Sequence, residues 1–384
     1  MPSSGVVPYQ ELLELIERRQ ITADNPIVLA GDGRQPQSSL IDLRLGDRVW
    51  ALRASELSPN GDMEQLLEER MEYSFELTDE GKYLHGGLGM VYVAKLQERL
   101  DLPPGYFARG SGKTSTARIN VSERLLTNNG MRFDEVEKGY VGPLFLDLSS
   151  MSFPLMIKKG LSPTHIRIFY EGEGRLDTGR LNSLHKQTPI IYDASGEPIP
   201  VGNLNSFVEQ DAVTLSVDLK TEDRLGNVGY TPRQVSAHVD LSKPGEHKLE
   251  DFWDPVRLES DGSLILVPGQ FYLLQSVERL RFPKGYAGEM LGFDTGLGDF
   301  GVQKARFFNA GDGMDTGGNP ATLEIMLHNR PPLRIYHGRH IARMAVQELR
   351  EESSLGYGAS AGSSHGDRQS AGKGTLVVGK YFKE

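Results

Sequence analysis

Residues 89–112, GMVYVAKLQERLDLPPGYFARGSG, align without a gap on residues 269–292, GQFYLLQSVERLRFPKGYAGEMLG, at an offset of 180. Gly89/Gly269, Tyr92/Tyr272, Glu98/Glu278, Arg99/Arg279, Leu100/Leu280, Pro103/Pro283, Gly105/Gly285, Tyr106/Tyr286 and Gly112/Gly292 are identical. Matches that cluster on turn residues mark a repeated unit of strands. The echo extends outward: SLIDL around Asp42 is similar to LSVDL around Asp218, and LFLDLSSMSFPLMIKKG (144–160) to TLEIMLHNRPPLRIYHG (322–338). A chain of 384 residues is natural for two domains, since single cores stop growing at roughly 100–200 residues.

The rest of the chain fits that frame. Gly (44) and Pro (21) are spread between short apolar runs, as strands joined by tight turns require, so the fold class expected is mainly β. Tyr9, Leu12, Leu13 and Ile16 recur at helical spacing and predict a short amphipathic N-terminal helix. Residues 61–72 are polar and helix-friendly, an apparent insertion, and residues 171–206 read as a turn-rich linker with one hairpin. The expected division is 1–175 for the first unit with its helix, 176–350 for the second, and 351–384 for a Gly/Ser-rich flexible tail or lid.

Composition excludes several functions. A formal charge of −10, from 42 Lys+Arg against 52 Asp+Glu, argues against nucleic-acid binding driven by phosphate neutralisation. The absence of cysteine rules out disulfides, a thiol nucleophile and Cys-containing zinc sites. No run approaches the ~20 apolar residues of a membrane span, and the start of the chain lacks the order of a secretion signal, so a soluble cytoplasmic protein is expected, with no membrane partner. His328, His337 and His340 lie close in sequence, but strand spacing does not make them converge, and no metal site built by protein ligands alone is expected.

The sharpest local motif is GSGKTSTAR, residues 110–118, where Lys113, Thr114, Ser115, Thr116 and Arg118 offer cations and hydroxyls suited to phosphate oxygens. It is not a P-loop, because Phe107 stands where that motif needs its first glycine. A plain surface turn would have the same composition. Asp147 sits within the apolar strand pattern of 144–148, and Glu324 is its counterpart in the second unit. A carboxylate so placed is desolvated unless paired, which moves it towards a general base's working range, although strand acids more often face water.

Taken in order, SSLIDLRLG, GKTSTAR, the run from Asp134 to GYVGPLFLD, and PLMIKKG resemble the deoxycytidine triphosphate deaminase family, in its long bacterial form with two dUTPase-like distorted β-barrels in tandem. The resemblance implies zinc-independent deamination of dCTP to dUTP, magnesium (Mg2+) accompanying the nucleotide, a strand glutamate as general base and acid, and sites shared between barrels. It implies too that Lys113, Thr114, Ser115 and Arg118 take the positions of the family's phosphate loop, and that Asp134 and Tyr140 lie around sugar and base. Two departures stand out: the first unit has Asp147 where the family has glutamate, and the second has Asp294 and Asp299 in its loop. One composite site, the first unit's loop facing Glu324, follows as an expectation; catalysis by Asp147 in the first unit is the alternative. Family lids close from the C-terminal side, which makes Tyr357 and Lys373 lid candidates. A dUTPase or bifunctional enzyme giving dUMP, and an inactive nucleotide-binding protein, remain as rival readings. A homo-oligomer is expected, a trimer of chains carrying six barrels being the arrangement that closes a ring.

Overall fold

The computed structural model describes residues 4–86, 89–223, 225–292, 300–302, 305–328, 331–357 and 378–383. Strand alternation builds the first half. Along Val141–Ser150, Leu144, Leu146 and Leu148 point to one face and are buried in the main core, while Phe145 points to the other, against Trp50, Leu126 and Met63. This strand pairs antiparallel with Val91–Asp101 and Val121–Thr127, and Leu45–Leu52 and Tyr73–Glu76 extend the sheet. A second sheet, in which Thr164–Tyr170 pairs with Ile41–Leu43 and Tyr106–Gly112, covers the other side of the core with Ile41, Ala108, Ile166 and Ile168.

The second half repeats the plan around its own core. Phe271–Leu280 pairs with Asn319–Leu327 and with the end of Ala212–Asp218, which continues to His340–Glu348 and Tyr286–Met290. The aligned turns close alike: the Tyr106 amide donates to Pro103 O at 3.1 Å and the Tyr286 amide to Pro283 O at 2.9 Å. Glu98 and Glu278, identical in the alignment, are both buried, and each accepts a backbone amide at 2.7 Å, from Arg44 and Ser216 respectively. Each stitches its long strand to the neighbouring chain.

The N-terminal helix spans Tyr9–Glu17 and buries Leu12 and Leu15, with Ile16 packed beside them, so its inner face is turned slightly from the one the spacing predicts. The expected linker is more ordered than its polarity implies: Asp177 caps a helix over Thr178–Gln187, accepting from the Arg180 amide, and Leu181 and Leu184 are buried. Residues 61–72 contain the helix Met63–Arg70, capped by Asp62, which lies over the outer face of the first sheet through Met63 and Leu67.

The halves are interleaved. Val239–Asp240 pairs in parallel with Leu155–Ile157, and Leu249, Phe252 and Trp253 enter the first core. At the junction Arg167, fully buried, donates to Gly288 O (2.9 Å), Phe308 O (2.7 Å) and Gln347 Oε1 (2.8 Å).

Candidate active site

The Gly/Ser/Thr motif lies at the end of strand Tyr106–Gly112 and in the short helix Thr114–Ala117. Gly112 packs against the Glu123 side chain, whose carboxylate would have to swing aside for any larger residue there. Lys113 is paired with the Asp42 carboxylate, and Asp42 lies 3.8 Å from His165 Nδ1. Burial works to raise the Asp42 carboxyl, but Lys113 and His165 outweigh it and hold it below its ordinary value. Burial also holds the His165 imidazole below its ordinary value. The Thr116 hydroxyl is turned inward, 3.0 Å from Lys113 O and 3.3 Å from Pro163 O. These bonds make Thr116 a pin of the turn.

Arg118 decides where the loop points. Its Nη2 donates to Thr322 Oγ1 at 2.7 Å, and Thr322 is two residues before Glu324 on strand Asn319–Leu327, hence on the same face. Glu324 is buried, and its Oε2 accepts the Ala305 amide at 3.2 Å. Leu323, Ile325 and Leu327 line the second core, whereas Leu273, directly opposite Glu324, belongs to the first. Alternation therefore turns Glu324 out of its own barrel and towards the first unit.

Asp147 holds the same register position: it lies opposite Val93, as Glu324 lies opposite Leu273, and those two residues are partners in the aligned repeat. Its surroundings differ. Val93 packs with Trp50, Met63 and Leu67 under the 63–70 helix, and the hydroxyls of Ser55 and Ser149 donate to the Asp147 carboxylate. Burial raises the Asp147 carboxyl above its ordinary value. The first-unit acid faces its own insertion, and the second-unit acid faces the other barrel.

Asp134, in the left-handed region at φ 63°, is held from three sides: Oδ1 accepts the Leu125 amide at 2.8 Å, and Oδ2 accepts Arg124 Nε (2.8 Å) and Arg306 Nη2 (3.2 Å). Burial raises its carboxyl in spite of the two guanidiniums. The Tyr140 hydroxyl donates to Pro143 O at 2.6 Å and accepts the Asn128 amide at 3.2 Å, both within its own hairpin. That places it as a brace of the hairpin.

The chain returns to the loop at residues 378–383. Phe382–Lys383 pairs with His247–Lys248, and Val378, Tyr381 and Phe382 are buried in the first core. The Tyr381 phenol interacts with the Ser115 side chain, and a Cβ on Gly379, at φ 86°, would come within 3.1 Å of Arg118 Cδ. Lys380 is pulled down to about 8 by burial and by Lys113, with Asp42 opposing. This end of the expected tail is docked, because its apolar side chains outweigh the Gly/Ser composition that precedes them. Of the two lid candidates, Tyr357 is anchored in the second unit by its amide on Ala310 O at 3.2 Å, and Lys373 lies outside the described residues, as do Asp294 and Asp299. Lys380, Tyr381 and Arg306 were not legible as site residues, although GKY at 379–381 breaks the low-complexity run.

Two family models cover nearly the whole chain: the 2'-deoxycytidine 5'-triphosphate deaminase N-terminal domain over residues 3–173 and its C-terminal domain over 177–376. The chain belongs to the dCTP deaminase family. A curated dCTP deaminase of Rhodospirillum rubrum is 29% identical over 164 residues, covering 41% of this chain and 80% of that protein. The crystal structure of 2'-deoxycytidine 5'-triphosphate deaminase from Agrobacterium tumefaciens superposes with a TM-score of 0.79 at 29% identity, covering 90% of this chain and 99% of that one. The fold that the resemblance implied, two tandem dUTPase-like barrels preceded by a short helix, is the fold of this family member. No helix among the described residues is long and apolar enough to cross a membrane.

Proposed function

We propose that the chain hydrolyses dCTP to dUTP and ammonia at one composite site, built from the first unit's loop and the second unit's glutamate. The observation that carries this reading is the Arg118–Thr322 hydrogen bond, which brings the phosphate-binding candidates and Glu324 to one place. Lys113, Thr114, Ser115 and Arg118, with Lys380 from the returning segment, supply cations and hydroxyls for the triphosphate. Glu324 takes a proton from water as the oxygen attacks cytosine C4, and returns a proton to the amino group as the C4–N bond breaks. Water adds, ammonia leaves, and no redox partner is needed.

Magnesium enters as a companion of the triphosphate. The loop fits that role by offering hydroxyls and cations to phosphate oxygens, while the Asp42 carboxylate beside it is already committed to Lys113. When bound, the ion neutralises phosphate charge. The product on this reading is dUTP and not dUMP; it fits this that Asp134, the acid of the hairpin, is engaged by two guanidiniums and an amide.

The test is incubation with dCTP and magnesium, following ammonia and separating dUTP from dUMP by chromatography. Glu324→Gln is expected to lower the rate by about 10²–10⁴, the usual contribution of a positioned proton-transfer group, with dCTP still bound. Asp147→Asn is expected to keep the activity. Loss of ammonia in the Asp147 variant but not in the Glu324 variant would move the chemistry to the first unit.

A further inference from the structure

The dipeptide Ala305-Arg306 belongs to the second unit, yet it is tied to both. The Ala305 amide donates to Glu324 Oε2 at 3.2 Å. The next amide, that of Arg306, donates to Ser111 Oγ of the first unit at 2.8 Å. The Arg306 guanidinium continues in that direction, its Nη2 donating to Gly110 O at 2.8 Å and to Asp134 Oδ2 at 3.2 Å. One residue thus grips the strand that carries the phosphate loop and the hairpin acid, while its neighbour holds the catalytic candidate.

The arrangement constrains Glu324 from across the two units. Two adjacent amides point to opposite partners, so the position of the Ala305 N–H is set by what Arg306 holds, together with the Met290 amide that donates to Arg306 O at 2.7 Å. Asp134 is the anchor: its left-handed backbone and its bonds to Leu125 N and Arg124 fix the carboxylate that receives Arg306. We infer that Arg306 is a positioning residue, which, clamped to Asp134 and to the Gly110-Ser111 strand, sets the orientation of the Glu324 carboxylate through the Ala305 amide. Asp134 serves the same end. The inference rests on the proposed role of Glu324 and adds to it a cross-unit clamp that lies outside the substrate.

The experiment uses the full-length protein with Arg306→Met, Arg306→Lys, Asp134→Asn and the Arg306→Met/Asp134→Asn double variant. A group that orients the base and does not hold the nucleotide should act on kcat and spare KM. Arg306→Met is expected to lower kcat for dCTP by about 10- to 100-fold, the effect of a misplacement near an ångström, with KM changed less than about threefold. Arg306→Lys, which keeps a cation for Asp134, should recover part of the loss. Asp134→Asn should reproduce the Met variant, and the double variant should be no worse than either single one. A rise in KM with kcat unchanged would overturn the inference and make Arg306 a nucleotide contact; multiplicative losses in the double variant would overturn the clamp.

Hydrogen exchange at the 305–306 amides reads the clamp without turnover. Both single variants should lose protection there, and unchanged protection would sink the proposal whatever the activity. Wild-type protein that releases no ammonia, with the exchange result as expected, would instead count against the deaminase reading alone.

Discussion

Phe382→Ala tests whether the returning segment serves the loop. The Phe382 ring is buried, 5.4 Å from Phe252 and 5.8 Å from Trp253 between centroids, and its strand pairs with His247–Lys248. Truncating a buried phenylalanine costs about 3–5 kcal/mol. Residues 378–383 meet the first unit through one two-residue strand and a few buried side chains, so that cost falls first on local docking and lowers the ratio of docked to detached segment by roughly a hundredfold or more. Detachment withdraws Tyr381 from Ser115 and Lys380 from Lys113, leaving Glu324 and Thr322 in place on their own strand. The expected result is rapid tryptic cleavage after Lys380 and a raised KM for dCTP, with kcat at saturation within a few-fold of wild type. Tyr381→Phe, which removes one hydroxyl and is worth about 0.5–1.5 kcal/mol, should give a small shift in the same direction. If cleavage and KM both stay at wild-type levels in Phe382→Ala, the segment is not held by that ring or does not cover the loop, and the reasoning fails.

Two further outcomes concern stability. Burial depresses the His165 pKa, so the unfolded chain takes up that proton first as pH falls; stability therefore declines as pH drops through 6.5, and thermal melts of His165→Gln should show a flatter curve below that point. Arg167→Met removes three hydrogen bonds at the junction of the halves and leaves the Gly288 and Phe308 carbonyls buried without that donor, which should cost about 3–5 kcal/mol and lower the urea midpoint; an unchanged midpoint would show that the junction does not depend on this side chain.

The fold was largely legible because strand alternation and repeated turns are local signals. Leu144, Leu146 and Leu148 announce their strand within five residues, and Pro103-x-Gly105 and Pro283-x-Gly285 announce the turns. The helix over Thr178–Gln187 was hidden because Leu181 and Leu184 are the apolar marks of its inner face, the third buried residue being His185. At the site, the loop and the two strand acids could be found by spacing, and their register equivalence is fixed by strand pairing, Asp147 opposite Val93 and Glu324 opposite Leu273. What separates Asp147 from Glu324 could not, since it depends on which element covers each strand: the 63–70 helix in one case, the other barrel in the other. Arg306 was invisible for the same reason, because its partners Gly110, Ser111 and Asp134 lie in the other half of the chain.

The docking of residues 378–383 onto Ser115 and Arg118 also fixes an order of events during synthesis. The loop leaves the ribosome early, but Phe252, Trp253 and Phe382, which complete the core beside it, are made much later. A nascent chain therefore holds Lys113 and Arg118 long before it holds either Glu324 or residues 378–383. A ribosome-bound fragment stopped short of residue 378 would carry the loop and the glutamate without the Phe382–Lys383 strand that seals the first half.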